Sequence, residues 1–162
     1  MTVHVTPPGT RGKPPMRMPA PLKAFLSRMF TSMIRRRGAK MRIAGLPLLI
    51  LTTIGAKSGK EREAILGWLA DPSANDGSVL VAGSNQGAAQ QSAWLVNMAA
   101  HPDKVWSEID GHRIHVRPET LEGEARAAAW ASFKTHGRYA QYEVDTDREI
   151  PIVRLRPVGA RQ

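Results

Sequence analysis

The spacing of apolar positions changes several times along this chain, and each change marks an element. Leu22, Phe25, Leu26, Met29, Phe30, Met33 and Ile34 fall three or four apart, which predicts one amphipathic helix. Gly38 is placed to cap it, and Arg35, Arg36 and Arg37 sit where the negative end of the helix dipole favours cations. Residues 46–53 form instead a continuous apolar run rich in branched side chains, which reads as a buried strand. Pro47 lies near its start, where no ladder donor is lost. Residues 78–84 repeat that signature. Residues 64–70 fit one arm of a hairpin, because the turn-forming run 71–77 follows them. Segments 105–109 and 112–117 flank Asp110-Gly111, a type I′ hairpin signal. Helices over 90–100 and 121–135 and a last strand over 150–155 complete the series. Many short antiparallel strands with a few inserted helices predict an α+β fold built on a small barrel.

At 162 residues and 42% hydrophobic content, the chain suits one core with an appended segment. Cysteine is absent, which excludes disulfides, thiolate nucleophiles and cysteine-ligated metals. His112 and His115 lie on one expected strand at a spacing that turns them to opposite faces, so no shared metal site is expected. No stretch reaches the roughly 20 apolar residues of a membrane span, and the N-terminus lacks a secretory signal pattern. A cytoplasmic protein is expected.

The net charge of +9 is unevenly placed. Residues 1–42 carry ten of the 23 Lys and Arg and no Asp or Glu, so the remainder of the chain is close to neutral. This divides the molecule into a basic arm and amphipathic helix over 1–42 and a folded domain over 43–162. The proline-rich stretch up to Pro21 is expected to be disordered or extended. Two readings of the helix stay open: an ordinary helix laid over the domain, or attachment of residues 22–42 to an anionic membrane surface. Clustered cations without acids favour the second, since each contributes on the order of 1 kcal/mol near anionic lipid. A nucleic-acid arm is not expected, because Phe25 and Phe30 are its aromatic residues and both belong to the apolar stripe.

The densest chemistry follows the first buried strand. Thr52 to Arg62 reads Thr-Thr-Ile-Gly-Ala-Lys-Ser-Gly-Lys-Glu-Arg, a glycine-punctuated turn carrying Lys57, Ser58, Lys60 and Arg62. Gly55 and Gly59 permit positive φ and leave amides unshielded, and the side chains add charge-assisted donors, so the turn suits phosphate or carboxylate. A merely soluble hairpin turn is the alternative. A nucleotide-triphosphatase P-loop is excluded, because three residues separate the glycines and Glu61 follows Lys60.

Four motifs then occur in order: residues 48–62; Val-Ala-Gly-Ser-Asn-x-Gly over 81–87; Trp94-x-x-Asn97-Met98-x-Ala100-x-Pro102; and Tyr139-x-x-Tyr142 followed by Thr146-x-Arg148-x-Ile150-Pro151-Ile152-Val153. Together they resemble the deazaflavin-dependent nitroreductase family, of nitroreductase and quinone reductase type. The resemblance implies a split β-barrel that binds coenzyme F420, an 8-hydroxy-5-deazaflavin with a phosphate and polyglutamate tail, with FMN the alternative for the same barrel. By resemblance, Lys57, Ser58, Gly59, Lys60 and Arg62 hold the tail, Ser84 and Asn85 flank the ring, and Trp94 and Asn97 wall the site. Tyr139 and Tyr142, with Ser84, are the implied catalytic groups on the acceptor side. Ala56, Gly67 and Leu95 depart from the family pattern, which implies a reshaped acceptor pocket. The implied activity is hydride transfer from reduced F420 to an electron-poor small molecule, with a membrane quinone preferred because the basic helix would hold the barrel at the inner face of the membrane. A non-catalytic deazaflavin-binding protein is the alternative. The resemblance also leaves room for a homodimer.

Overall fold

Strand β2, Leu46–Ile54, is buried along nearly its whole length, and the period-2 geometry of a strand explains why it is apolar throughout. Leu49 and Leu51 point into one cluster, with Val79, Val81, Val153 and Leu155. Leu48 and Ile50 point the other way, against Ile34 of helix α1, Ala20–Arg37. Burying a side chain such as Ile34 contributes about 2 kcal/mol. This computed structural model describes residues 2–14 and 16–159.

The remaining strands are β1 Arg42–Ile43, β3 Glu61–Gly67, β4 Leu69–Ala70, β5 Val79–Ala82, β6 Trp106–Ile109, β7 His112–Thr120 and β8 Ile152–Pro157. All pairings are antiparallel, in the order β1-β2-β6-β7-β8-β5-β4, with β3 added on β2. Thus β3 and β4, consecutive in the chain, stand near opposite ends of one curled sheet and are joined only through Trp68, whose amide donates to the Pro47 carbonyl at 3.0 Å. Among the described residues β3 pairs with β2 alone, which leaves its outer edge open. This is the α+β split half-barrel expected from the sequence. The Asp110-Gly111 turn has positive φ at both residues, 51° and 78°, as a type I′ hairpin requires.

Three further helices surround the sheet: α2 Ala93–Ala100, α3 Gly123–Lys134 and α4 Tyr139–Asp145. Leu95 and Met98 of α2 are fully buried in the cluster that contains Leu49 and Leu51. Trp130 and Phe133 of α3 pack on Leu46, Leu80 and Ile152. The helix expected over 90–100 starts later, at Ala93, because the preceding residues are occupied by contacts to distant segments described below. Helix α4 has seven residues, too few for its periodicity to register in the sequence; Tyr139 is fixed by rings at Trp130, Phe133 and Tyr142.

The cationic helix docks by its C-terminal half. Thr31 and Ile34 are buried, and the Arg35 guanidinium bridges Glu63 on β3 at 2.6 Å and Glu108 on β6 at 2.9 Å. Those two carboxylates, Glu108 foremost, raise the Arg35 pKa further above its ordinary value. The helix keeps Leu22, Phe25, Met29 and Phe30 exposed, Phe25 at 63%. Gly38 closes the helix with φ 56°, its amide donating to the Ile34 carbonyl.

Candidate functional site

The hairpin between β2 and β3 presents the cationic turn. Gly55 N–H donates to the Lys60 carbonyl and Gly59 N–H to the Gly55 carbonyl, both at 2.8 Å, so the loop closes on itself. Gly59 sits at φ 66° with open space around it; the backbone conformation, not crowding, selects glycine there. Ser58 Oγ accepts the Lys60 amide at 3.3 Å, which turns this hydroxyl toward the loop's own backbone. Asn97 reaches across from α2: its Oδ1 accepts the Ala56 amide at 3.0 Å, and its Nδ2 donates to Thr53 Oγ1 at 3.4 Å. Asn97 is therefore the strut of the turn. Lys57, Lys60 and Arg62 are exposed, and their side chains form no ion pair or hydrogen bond among the described residues. Three unneutralised cations on a braced loop suit an anionic group that arrives from outside.

From Arg62 to Gly67, β3 runs about 17 Å at ~3.3 Å per residue. At its far end a Cβ on Gly67 would lie 3.0 Å from Leu46 Cβ and 3.4 Å from Tyr139 Oη, so the absence of a side chain there lets Leu46 and the Tyr139 phenol pack close against the strand. Tyr142, one turn further along α4, stands 5.6 Å from Tyr139 between ring centroids, and a Cβ on Gly87 would lie 3.4 Å from its ring. Burial first, and the neighbouring Tyr142 second, push the Tyr139 pKa up to about 12. Its phenol stays protonated at neutral pH, and its hydroxyl has no hydrogen-bond partner among the described residues.

Ser84 and Asn85 lie on the turn after β5. Asn85 and Gln86 adopt left-handed φ of 43° and 55°, unusual for residues with side chains, and Gly87 follows at 81°. Asn85 Nδ2 donates to the Gln90 carbonyl at 3.0 Å. Beneath this turn lies Arg148, 5% exposed. It donates to the carbonyls of Gly83 at 3.0 Å, Ser84 at 2.9 Å and Ala88 at 3.2 Å, and to Gln91 Oε1 at 2.8 Å. None of these acceptors carries a charge, and burial lowers the arginine's pKa. A pairing of Arg148 with nearby Asp145 or Glu149 is the plain alternative to its place in the fourth motif. The structure gives Asp145 to Lys13 and Glu149 to Arg126 instead. The signal for its role was the place of Arg148 in the fourth motif.

The structure thus places the eleven sequence-derived residues unequally. Lys57, Ser58, Gly59, Lys60, Arg62 and Asn97 form one cluster at the hairpin. Tyr139 and Tyr142 form another beside the turn of Ser84 and Asn85, since a side chain on Gly87 of that turn would meet the Tyr142 ring. Trp94 is 8% exposed and belongs to the core cluster of Leu49 and Leu51, where it supports α2. Among the described residues there is no group of three or more metal-ligating side chains.

Comparison with known proteins gives the family. Residues 26–157 match the family model described as F420H(2)-dependent quinone reductase. The Mycobacterium tuberculosis protein Rv3178, which carries the name of such a reductase, is 31% identical over 115 residues, covering 69% of this chain and 91% of that protein. The solved structure of an F420-H2 dependent reductase, FDR-A, superposes with a TM-score of 0.57 at 30% identity, covering 67% of this chain and 93% of that one. A structure described as a domain-swapped dimer gives 0.59 at 24% identity over 83% of this chain and 98% of that chain, a likeness of fold alone. The chain belongs to the F420H(2)-dependent quinone reductase family and is an oxidoreductase that uses coenzyme F420.

Proposed function

We propose that this reductase delivers a hydride from reduced F420 to a quinone dissolved in a membrane, with the cationic turn on the coenzyme's acidic tail and the Ser84–Asn85 turn and α4 beside its ring. The observation that carries this reading is the donor set of Lys57, Lys60 and Arg62, which is free of internal partners and braced by Asn97. When bound, the coenzyme supplies the hydride. The chain supplies placement: the turn neutralises the tail, β3 spans the distance from tail to ring, and the protonated Tyr139 hydroxyl can donate to the oxygen of a reduced acceptor.

The acceptor's location rests on α1. Leu22, Phe25, Met29 and Phe30 form an exposed apolar surface, flanked by Lys23, Arg28, Arg36 and Arg37, whose side chains make no ion pair among the described residues. That combination suits the interface of an anionic bilayer. No helix among the described residues is long and apolar enough to cross one.

The test has two parts. Fluorescence titration with oxidised F420 should give saturable binding, and a protein that ignores the coenzyme would defeat the whole proposal. Wild type should co-sediment with anionic vesicles in a salt-sensitive manner and reduce quinone embedded in them. The double variant Phe25→Ser/Phe30→Ser should lose both while keeping coenzyme affinity. Equal sedimentation of the two proteins would remove the membrane from the reading.

A further inference from the structure

The N-terminal arm does not stop at the surface of the barrel; it runs along the turn of Ser84 and Asn85. Gly9 N–H donates to the Ala89 carbonyl at 2.8 Å, and Lys13 N–H to the Gly87 carbonyl at 2.9 Å. The arm lies so close that a Cβ on Gly12 would overlap the backbone of Ala88 and Ala89. It is held on its other side by the segment that ends in Arg148. Thr146 Oγ1 donates to the Arg11 carbonyl at 2.9 Å, Asp147 accepts the Arg11 amide at 2.9 Å and the Thr10 hydroxyl, and Asp145 pairs with Lys13 at 2.8 Å. Gln91 joins the two halves, accepting from Arg148 and donating to the Thr6 carbonyl at 2.9 Å.

The carbonyls of Gly83, Ser84 and Ala88 are thus taken by Arg148, and those of Gly87 and Ala89 by the arm. This turn also holds two non-glycine residues in left-handed conformations that short local hydrogen bonds alone do not favour. We propose that residues 9–13 and Arg148 act as one clamp that positions the ring-side turn, so that docking of the arm and binding of the coenzyme's ring are coupled. The inference rests on the reading above that the ring lies at Ser84 and Asn85. Arg148 and the arm are positioning elements: they work through the turn. Coupling of this kind is reciprocal, so whatever factor the docked arm adds to ring affinity, the bound ring must return to arm docking.

Gly12→Val tests this directly, because the added side chain displaces the arm without entering the core. Its affinity and that of wild type are measured by fluorescence for F420 and for the tail-less deazaflavin riboside. The expected result is a loss of at least about fivefold, by the same factor for both ligands, since the tail is not involved. In wild type, saturating F420 should slow tryptic cleavage after Arg11 by a similar factor. Arg148→Lys, which keeps the charge but loses the guanidinium fork, should speed that cleavage although it lies outside the arm. Should Arg148→Lys fail to fold, Gly12→Val and the wild-type cleavage decide alone. Unchanged affinities in Gly12→Val, or cleavage indifferent to F420, would overturn the clamp. A loss confined to the tailed coenzyme would place the arm at the tail and overturn it equally. Wild type that binds neither ligand would instead show that the coenzyme reading itself is at fault.

Discussion

The two turns of the site are built in opposite ways. The hairpin at residues 55–62 closes through its own backbone and needs one outside side chain, Asn97, while its cations face solvent unpaired. The turn at 83–90 is left-handed in its middle and has its carbonyls taken by Arg148, some sixty residues ahead, and by an arm some eighty residues behind. The first turn is a local device carrying charge; the second is a tertiary device carrying shape. Damage to the first should therefore show in binding alone, whereas damage to the second should show in stability and binding together.

The sharpest way to break this contrast is Arg148→Met. The change strips the donors from the buried carbonyls of Gly83 and Ala88, each worth about 1–3 kcal/mol, so urea unfolding should reveal a loss of about 2 kcal/mol or more. Lys60→Ala on the other turn should stay within about 0.5 kcal/mol of wild type. Equal stabilities for the two variants would erase the distinction. Next in size is the triple variant Lys57→Ala/Lys60→Ala/Arg62→Ala. At about 1 kcal/mol for each exposed cation, F420 affinity should fall roughly 100-fold with an unchanged melting temperature. The tail-less riboside should bind as before, and a matching loss for it would move these cations from tail to ring.

Asn97→Ala should fall between the two classes. The Ala56 amide loses its acceptor, which costs about 1 kcal/mol and weakens F420 by roughly fivefold through a loosened turn. An intact affinity would mean that the hairpin braces itself. The smallest effect concerns Tyr139. Its pKa is raised to about 12 from the ordinary value of 10, so burial of the neutral phenol contributes fully below pH 10. That contribution is lost as pH climbs from 10 toward 12. Tyr139→Phe should flatten this part of the stability–pH curve, and an unaltered alkaline slope would show that another group is responsible.

Much of the architecture was legible because its signals are local. The run Leu46 to Thr53 announces a strand buried on both faces, and Asp110-Gly111 announces its own turn type. The cationic hairpin was likewise visible, since glycine spacing and charge lie within eleven consecutive residues. Helix α4 was not legible: seven residues give no usable period, and its position comes from ring contacts to α3. Trp94 and Asn97 show a further limit. Both belong to one motif, yet the structure sends Trp94 into the core and Asn97 to the turn. Sequence spacing gives neighbours along a helix but not what each side of that helix meets.

By itself the sequence determined the strands, the charge asymmetry, the cationic hairpin and the family, because hydrophobic period, turn chemistry and motif order are properties of contiguous residues. Only the tertiary structure decided that a proline-rich arm lies along the turn of Ser84 and Asn85, and that a buried arginine serves carbonyls instead of a carboxylate. A backbone carbonyl leaves no mark in the sequence. Its partner is chosen by which distant segment folding brings within hydrogen-bond reach.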